Sequence, residues 1–317
     1  MNYILVILLI GFVGLFILMN VLYRHLDDSQ EAHILKAKEG RWDMVCLGSS
    51  YCRYAFNFED TNINGYNLGF VAQFFYYTKK MLQCYSPYFR ENCYVVLVIV
   101  NLVFAKEGRT EYGGADKYRR ILNRENLGDD FSLVKYICSL FPLLENPKRI
   151  KHLLKLLFYK IRYNKPLPSP ENIDFNPRTS SQVKNDALQR CAGWCDLFGL
   201  KDTFSSDIPD DMSEIFRNTR NMLTEMIQYC LERGYKPLLV VTPVSHSLNE
   251  MLSDEFLEKV LYANIRKANR QGIPFFDYLK DERFQDEKYY LNADCLNLTG
   301  RKKFTKIIIE DIQKLKY

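Results

Sequence analysis

Trp42-Asp43-Met44-Val45-Cys46-Leu47-Gly48-Ser49-Ser50 is a compact apolar run that stops at a glycine and two serines. Apolar runs of this length without alternation are the pattern of a strand buried on both faces of a parallel sheet. Outward from it, Gly65-Tyr66-Asn67-Leu68-Gly69 closes a second short strand, and Phe70 to Tyr85 reads as an aromatic-rich helix. Tyr94 to Val100 (YVVLVIV) is the most hydrophobic strand and belongs at the centre of the sheet. The alternation resumes late in the chain. A helix is expected from about Pro209 to Gly234, a strand over Pro237 to Thr242 and a helix over Leu252 to Gln271. A strand over Pro274 to Asp277 and a last helix from Thr299 to Lys316 complete it. Strands alternating with long helices predict an α/β fold with a central parallel sheet. Sites in such sheets form beyond the C-terminal strand ends. Three of those ends carry chemistry: Ser49-Ser50, Asn101, and Thr242-Pro243-Val244-Ser245-His246.

Composition sets the bounds. The chain has 317 residues, 47% hydrophobic and 26% charged, which suits a globular core and excludes disorder and low-complexity architectures. The net charge is +5. Lys148, Arg149, Lys151, Lys155, Lys160, Arg162 and Lys165 supply seven positive charges with no acid between them, so the remainder sums to −2. The positive charge is thus a local patch, and a nucleic-acid partner is not expected. Ile150, Leu153, Leu154, Leu157 and Ile161 recur at helical spacing through the same segment. The plain reading is a cap helix with a solvated basic face. The functional alternative is a helix on anionic headgroups or an anionic polymer.

Tyr3 to Tyr23 holds 21 residues without a charge, about 31 Å as a helix, which matches a bilayer core. Met1 and Asn2 alone precede it and Val21-Leu22-Tyr23 ends it, so it reads as an uncleaved anchor rather than a signal peptide. The flanking charges do not settle its orientation. The expected organisation is an anchor over 1–26, a linker helix over 27–40, and one α/β domain over 41–317 with a helical insertion at about 106–185. Nine cysteines contain no C-x-x-C pair and the four histidines no zinc spacing, so no metal or other cofactor is expected and the thiols read as mostly buried and free.

Gly48-Ser49-Ser50, Tyr66-Asn67-Leu68-Gly69, Thr242-Pro243-Val244, Phe276-Asp277-Tyr278 and Asn292-Ala293-Asp294-Cys295-Leu296-Asn297-Leu298-Thr299-Gly300 with Lys303-Phe304-Thr305 occur in that order. Together they resemble the SGNH (GDSL-type) hydrolase superfamily. They look closest to its membrane-anchored branch, which includes the D-alanine-transfer protein of teichoic-acid operons and polysaccharide O-acylation proteins. The resemblance covers roughly 41–105 and 210–317. It implies a flavodoxin-like three-layer sandwich and a single-pass cell-membrane protein with an extracytoplasmic domain. It further implies an esterase or acyltransferase acting on O-acyl groups of anionic or neutral surface polysaccharide, beside a membrane-bound O-acyltransferase.

Carried over by position, the resemblance implies Ser50 as nucleophile, with the N–H groups of Ser50 and Gly69 and the Asn101 amide as oxyanion donors. The family's Asp and His positions hold Asn292 and Cys295 here. A thiol cannot take the serine proton on one nitrogen while being held by another, and an amide cannot stabilise an imidazolium. Three readings follow: an inactive pseudoenzyme that serves as a binding or assembly partner, a substitute base, or Cys295 itself as nucleophile. His246 is the substitute base to consider, because it alone among the histidines follows a core strand. Asp294 is the other nearby acid, but an ordinary carboxylate is a weak base toward a hydroxyl. Each feature also has a plainer reading: Gly-Ser after a strand is commonly a turn with an N-cap, and His246 an exposed loop residue.

Overall fold

A computed structural model of the chain describes residues 2–27, 29–164, 179–200 and 212–315. Residues 165–177, part of the expected insertion, and the expected helix start at Pro209 lie outside the described residues. The remainder falls into two compact units. One joins the residues up to Lys36 to those from Ala115 to 164, and the other joins 37–114 to 179–315. The division differs from the expected one. Residues 115–164 go with the anchor, while 106–114 and the helix Ser180–Leu197 go with the sheet.

The sheet unit is built on five parallel strands: β1 (Trp42–Leu47), β2 (Gly65–Asn67), β3 (Phe89–Ile99), β4 (Lys236–Val241) and β5 (Phe275–Asp277). Their spatial order is β2-β1-β3-β4-β5. β1, β3 and β4 are central, which explains their unbroken apolar runs: Val45 pairs with Val95, and Val96 with Leu238, all fully buried. β3 starts five residues earlier than its apolar run, because Phe89 pairs with Trp42 across a register shift. Asn92, with φ of 58°, lies in that leading stretch. β5 is a three-residue edge strand, short as edges commonly are.

Helices surround this sheet. Phe75–Tyr85, Met212–Glu232 and Ala263–Ala268 pack side by side. The last helix, Leu298–Gln313, sets Phe304 into a ring cluster with Phe56, Tyr278 and Phe284, at centroid distances of 5.4, 5.1 and 5.7 Å. Just before it, β6 (Tyr290–Asn292) and β7 (Cys295–Leu296) form a small antiparallel hairpin in which Asn292 faces Cys295.

The anchor unit contains the helix Asn2–Leu26, which is long and apolar enough to cross a membrane. Against its second half pack Pro142–Glu145 and the basic helix Arg149–Tyr163. Tyr23, Leu143 and Leu153 form their shared core. Of the predicted stripe, Leu153 is buried and Leu157 packs on the anchor, whereas Ile150, Leu154 and Ile161 are exposed. Leu156, outside that stripe, is buried instead.

Candidate functional site

In the order β2-β1-β3-β4-β5 the chain moves outward from β1 to β2, then crosses back to β3 and continues the other way. The reversal lies between β1 and β3, where connections diverge and leave a crevice outside the strand ends. Gly48-Ser49-Ser50 leaves β1 there and Val100-Asn101 leaves β3.

Gly48 makes the turn with φ of 149°; a Cβ would come within 3.1 Å of both the Val98 carbonyl oxygen and the Cys52 Cβ, so glycine is needed. Its carbonyl accepts from Phe70 N–H (3.0 Å) and Gln73 Nε2 (3.2 Å). Ser49 caps the short helix Ser50–Arg53, its hydroxyl accepting from Tyr51 N–H at 3.4 Å. Ser50 is half-buried, and neither its hydroxyl nor its N–H has a hydrogen-bond partner among the described residues.

The expected oxyanion donors divide. Asn101 is buried; its Oδ1 accepts from Leu102 N–H (3.0 Å) and its Nδ2 is unpartnered among the described residues. With Thr242 and Tyr51 it lines a small cavity, closed on its other sides by Val244, Leu252 and Trp194. Gly69 differs from the expectation, since its N–H donates to Asn67 Oδ1 at 2.9 Å. Asn67 Nδ2 in turn donates to the carbonyls of Cys52, Arg53 and Phe56 at 3.0–3.1 Å. A Cβ on Gly69 would sit 2.5 Å from Arg53 N. Asn67 and Gly69 therefore serve the close packing of the loop after β2 on the serine helix.

The β6–β7 hairpin supplies the other half of the site. Tyr51, next to Ser50, donates its hydroxyl to Asp294 Oδ2 at 2.7 Å. Asp294 is 3% exposed, and Arg190 of the helix Ser180–Leu197 brings its Nε to 3.5 Å from the same oxygen. Asp186, one turn earlier, accepts from Ala293 N–H at 2.7 Å and fixes the hairpin tip. Asn292 Oδ1 accepts from Asp294 N–H (3.2 Å). Burial raises the Asp294 carboxyl above the usual aspartate range, with Arg190 and the Tyr51 hydroxyl opposing. Cys295 is buried; burial and then the charge of Asp294 push its thiol well above the usual range. A thiol so placed stays protonated, which removes the attacking species that a cysteine nucleophile requires.

His246 heads the short helix His246–Asn249 on the unit's surface. Its Nδ1 lies 2.9 Å from Gln285 Oε1 and its Nε2 3.2 Å from Glu250 Oε1, with the side chain 55% exposed. Both nitrogens are engaged away from Ser50. The structure thus brings Ser50, Asn101, Asn292, Asp294 and Cys295 to one end of the sheet through Tyr51 and, among the described residues, supplies no imidazole bonded to the serine.

Several matched positions prove to hold the fold. Asn297 caps the last helix through Gly300 N–H (3.0 Å) and donates to the Lys288 carbonyl (2.7 Å). A Cβ on Gly300 would lie 2.3 Å from the Tyr289 carbonyl oxygen. Thr305 accepts from Asn57 N–H at 2.9 Å.

No family model and no curated protein matches the chain.

Sequence reasoning missed Tyr51, Asp186 and Arg190. The local signals were present: Thr179 and Gln182 form a reciprocal capping box that starts the helix, and Asp186 and Arg190 stand at i,i+4 on it. That helix also borders an open groove of about 460 Å³ lined by Leu102, Lys106, Arg190, Trp194 and Leu197, with Asp196 as the acid against its two cations.

Proposed function

We propose that the chain is a membrane-anchored SGNH-like domain that binds without hydrolysing. In this reading it is a binding or assembly partner of a membrane-bound O-acyltransferase working on cell-surface polysaccharide. The strand order 2-1-3-4-5 is the flavodoxin-like one, and the Gly48–Ser50 block meets the β6–β7 hairpin beside its switch point through the Tyr51–Asp294 bond, which supports the family reading. The observation that carries the loss of hydrolysis is Cys295. At the position where the family places its histidine stands a buried thiol in contact with a buried carboxylate, and Ser50 has no base among the described residues. The groove beside Arg190 and Lys106 suits a chain carrying negative charge or hydroxyl groups.

A fluorophosphonate probe tests this on the full chain in detergent, with adducts located by mass spectrometry. The wild type should remain unlabelled at Ser50. Labelling that Ser50→Ala abolishes would establish an activated serine and restore the esterase reading. Asn292→Asp with Cys295→His rebuilds the family pair on the same hairpin, and labelling of this variant alone would place the loss of activity in those two residues. Iodoacetamide gives an independent readout, since Cys295 should resist alkylation at pH 8 until the protein is denatured.

A further inference from the structure

The apolar outside of the anchor unit has a definite occupant. We infer that residues 133–163 lie inside one leaflet of the membrane that the anchor spans, with the helix Arg149–Tyr163 along its anionic headgroup boundary.

Depth is the first ground. Phe141 stacks on Phe16 of the anchor (6.1 Å), Leu143 N–H donates to Asn20 Oδ1 (3.1 Å), and His152 meets the ring of Tyr23 (6.2 Å). Phe16 to Tyr23 is about 10 Å along a helix axis, all of it inside the uncharged stretch. A 21-residue span has no length to spare over a bilayer core of about 30 Å, so whatever packs on its last two turns is at bilayer depth.

Exposure is the second. Leu133 and Val134 are 62% and 72% exposed on the helix Leu133–Ser139, and Ile137 is exposed beside them. On the basic helix, with Ile150 at zero and 100° per residue, Ile161, Leu154 and Phe158 fall at about 20°, 40° and 80°. All four are exposed, Ile161 by 82%. Lys151, Arg162 and Lys155 follow at about 100°, 120° and 140°, while Leu153 and Leu156 are buried on the opposite side, Leu153 against Tyr23 of the anchor, with exposed Lys160 between them at about 280°. A buried face, an exposed apolar face and a basic face in succession is the arrangement of a helix at the boundary of an anionic membrane. In water the exposed face would be an unusually large apolar patch for a soluble surface.

The third ground is the backbone. Irregular chain at membrane depth must have its polar groups satisfied by protein. Between the helices Leu133–Ser139 and Pro142–Glu145, Arg24 donates to the Leu140 carbonyl and Asn20 accepts from Leu143 N–H, so the anchor's own polar side chains close the turn.

The test uses the full chain in vesicles of phosphatidylcholine and phosphatidylglycerol with brominated acyl chains, which quench tryptophan on contact. Ile161→Trp and Phe158→Trp should each lose at least about half of their added emission relative to unbrominated vesicles, given insertion of about 5–10 Å. Leu231→Trp, on an exposed helix position of the sheet unit, should lose none, and the wild type gives the background from Trp42 and Trp194. Unquenched emission at both 161 and 158 would overturn the inference. Quenching that is no stronger with phosphatidylglycerol than in pure phosphatidylcholine would overturn its anionic half. In cells, a photo-crosslinking benzoylphenylalanine at 161 should yield lipid adducts; a protein adduct instead would overturn the lipid assignment in favour of a membrane partner.

Discussion

The two compact units both bury apolar side chains but differ in what they expose. In the sheet unit the core holds Val45, Val95, Val96 and Leu238, and the buried carboxylate of Asp294 sits at the strand ends. In the anchor unit the outside is Leu133, Val134, Leu154 and Ile161, while Asp27 and Arg120 are enclosed. A difference of this kind follows from the solvent each unit meets. Water rewards inward apolar side chains, whereas lipid removes that drive and leaves polar contacts and close packing to define the interior.

Breaking the anchor unit's interior should have the largest effect. Arg120 reaches Glu31 at 2.6 Å and Asp27 at 3.4 Å, with side-chain exposures of 8%, 20% and 0%, and Arg149 adds a contact to Glu31 at 3.5 Å. Arg120→Leu strands the enclosed Asp27 and leaves Glu31 with Arg149 alone, a loss of about 3–5 kcal/mol for a buried pair. Hydrogen exchange over 115–163 should rise steeply in the variant, with the sheet strands unchanged. Unaltered protection of the helix Arg149–Tyr163 would mean that packing on Tyr23 and Leu143, and not the charges, sets this unit.

The matching change in the sheet unit is Asn67→Ala. It removes donors to three carbonyls and the acceptor for Gly69 N–H in a buried loop. Leaving those groups unmet should cost about 3 kcal/mol, since one orphaned buried group costs about 1–3 kcal/mol. Thermal unfolding of the sheet unit reads it directly. A loss below about 1 kcal/mol would mean that the loop relaxes onto water and that the family-like Tyr66–Gly69 block is not what holds the serine helix.

How far each unit was legible in the sequence follows the same contrast. Trp42–Leu47 and the central strands declared themselves, because a strand buried on both faces must be apolar throughout. The helix expected from Phe70 begins at Phe75, because Gln73 is spent on the Gly48 carbonyl and Ala72 takes φ of 53°. On Arg149–Tyr163 the periodicity marked apolar positions correctly but could not say which faced protein and which faced lipid, since both demand the same side chains. At the site, Ser50, Asn292 and Cys295 were named from the family resemblance of their sequence blocks and not from any local pattern. The bond from Tyr51 to Asp294 joins residues 243 apart in the chain, which no local pattern announces.

The pH response separates the units further, because in the sheet unit burial raises the carboxyl of Asp294 even with Arg190 Nε 3.5 Å away. Asp294 has a folded pKa raised above 3.8, so its stabilising contribution is present below that value and is lost as pH rises through the folded pKa. Relative to Asp294→Asn, the wild-type sheet unit should therefore lose stability as pH climbs upward from about 4, with the two curves parallel at higher pH. Melting temperatures of both proteins across pH 4–8 check it. Stability gained by the wild type over this interval would mean that Arg190 outweighs burial and that the carboxylate is held ionised.

The smallest effect should come from His246→Ala. The side chain is 55% exposed and its neighbours Gln285 and Glu250 are on the surface, so the pair contributes little in water. Melting should move by no more than about 0.5 kcal/mol in equivalent stability. The serine should be equally indifferent: any fluorophosphonate labelling, in wild type or in the variant with Asn292→Asp and Cys295→His, should be unchanged by His246→Ala. A selective drop in labelling would show that this ring leaves Gln285 and Glu250 to reach the strand ends when a ligand binds. The boundary between a binding crevice and a hydrolase would then lie in that loop movement rather than in the residues of the β6–β7 hairpin.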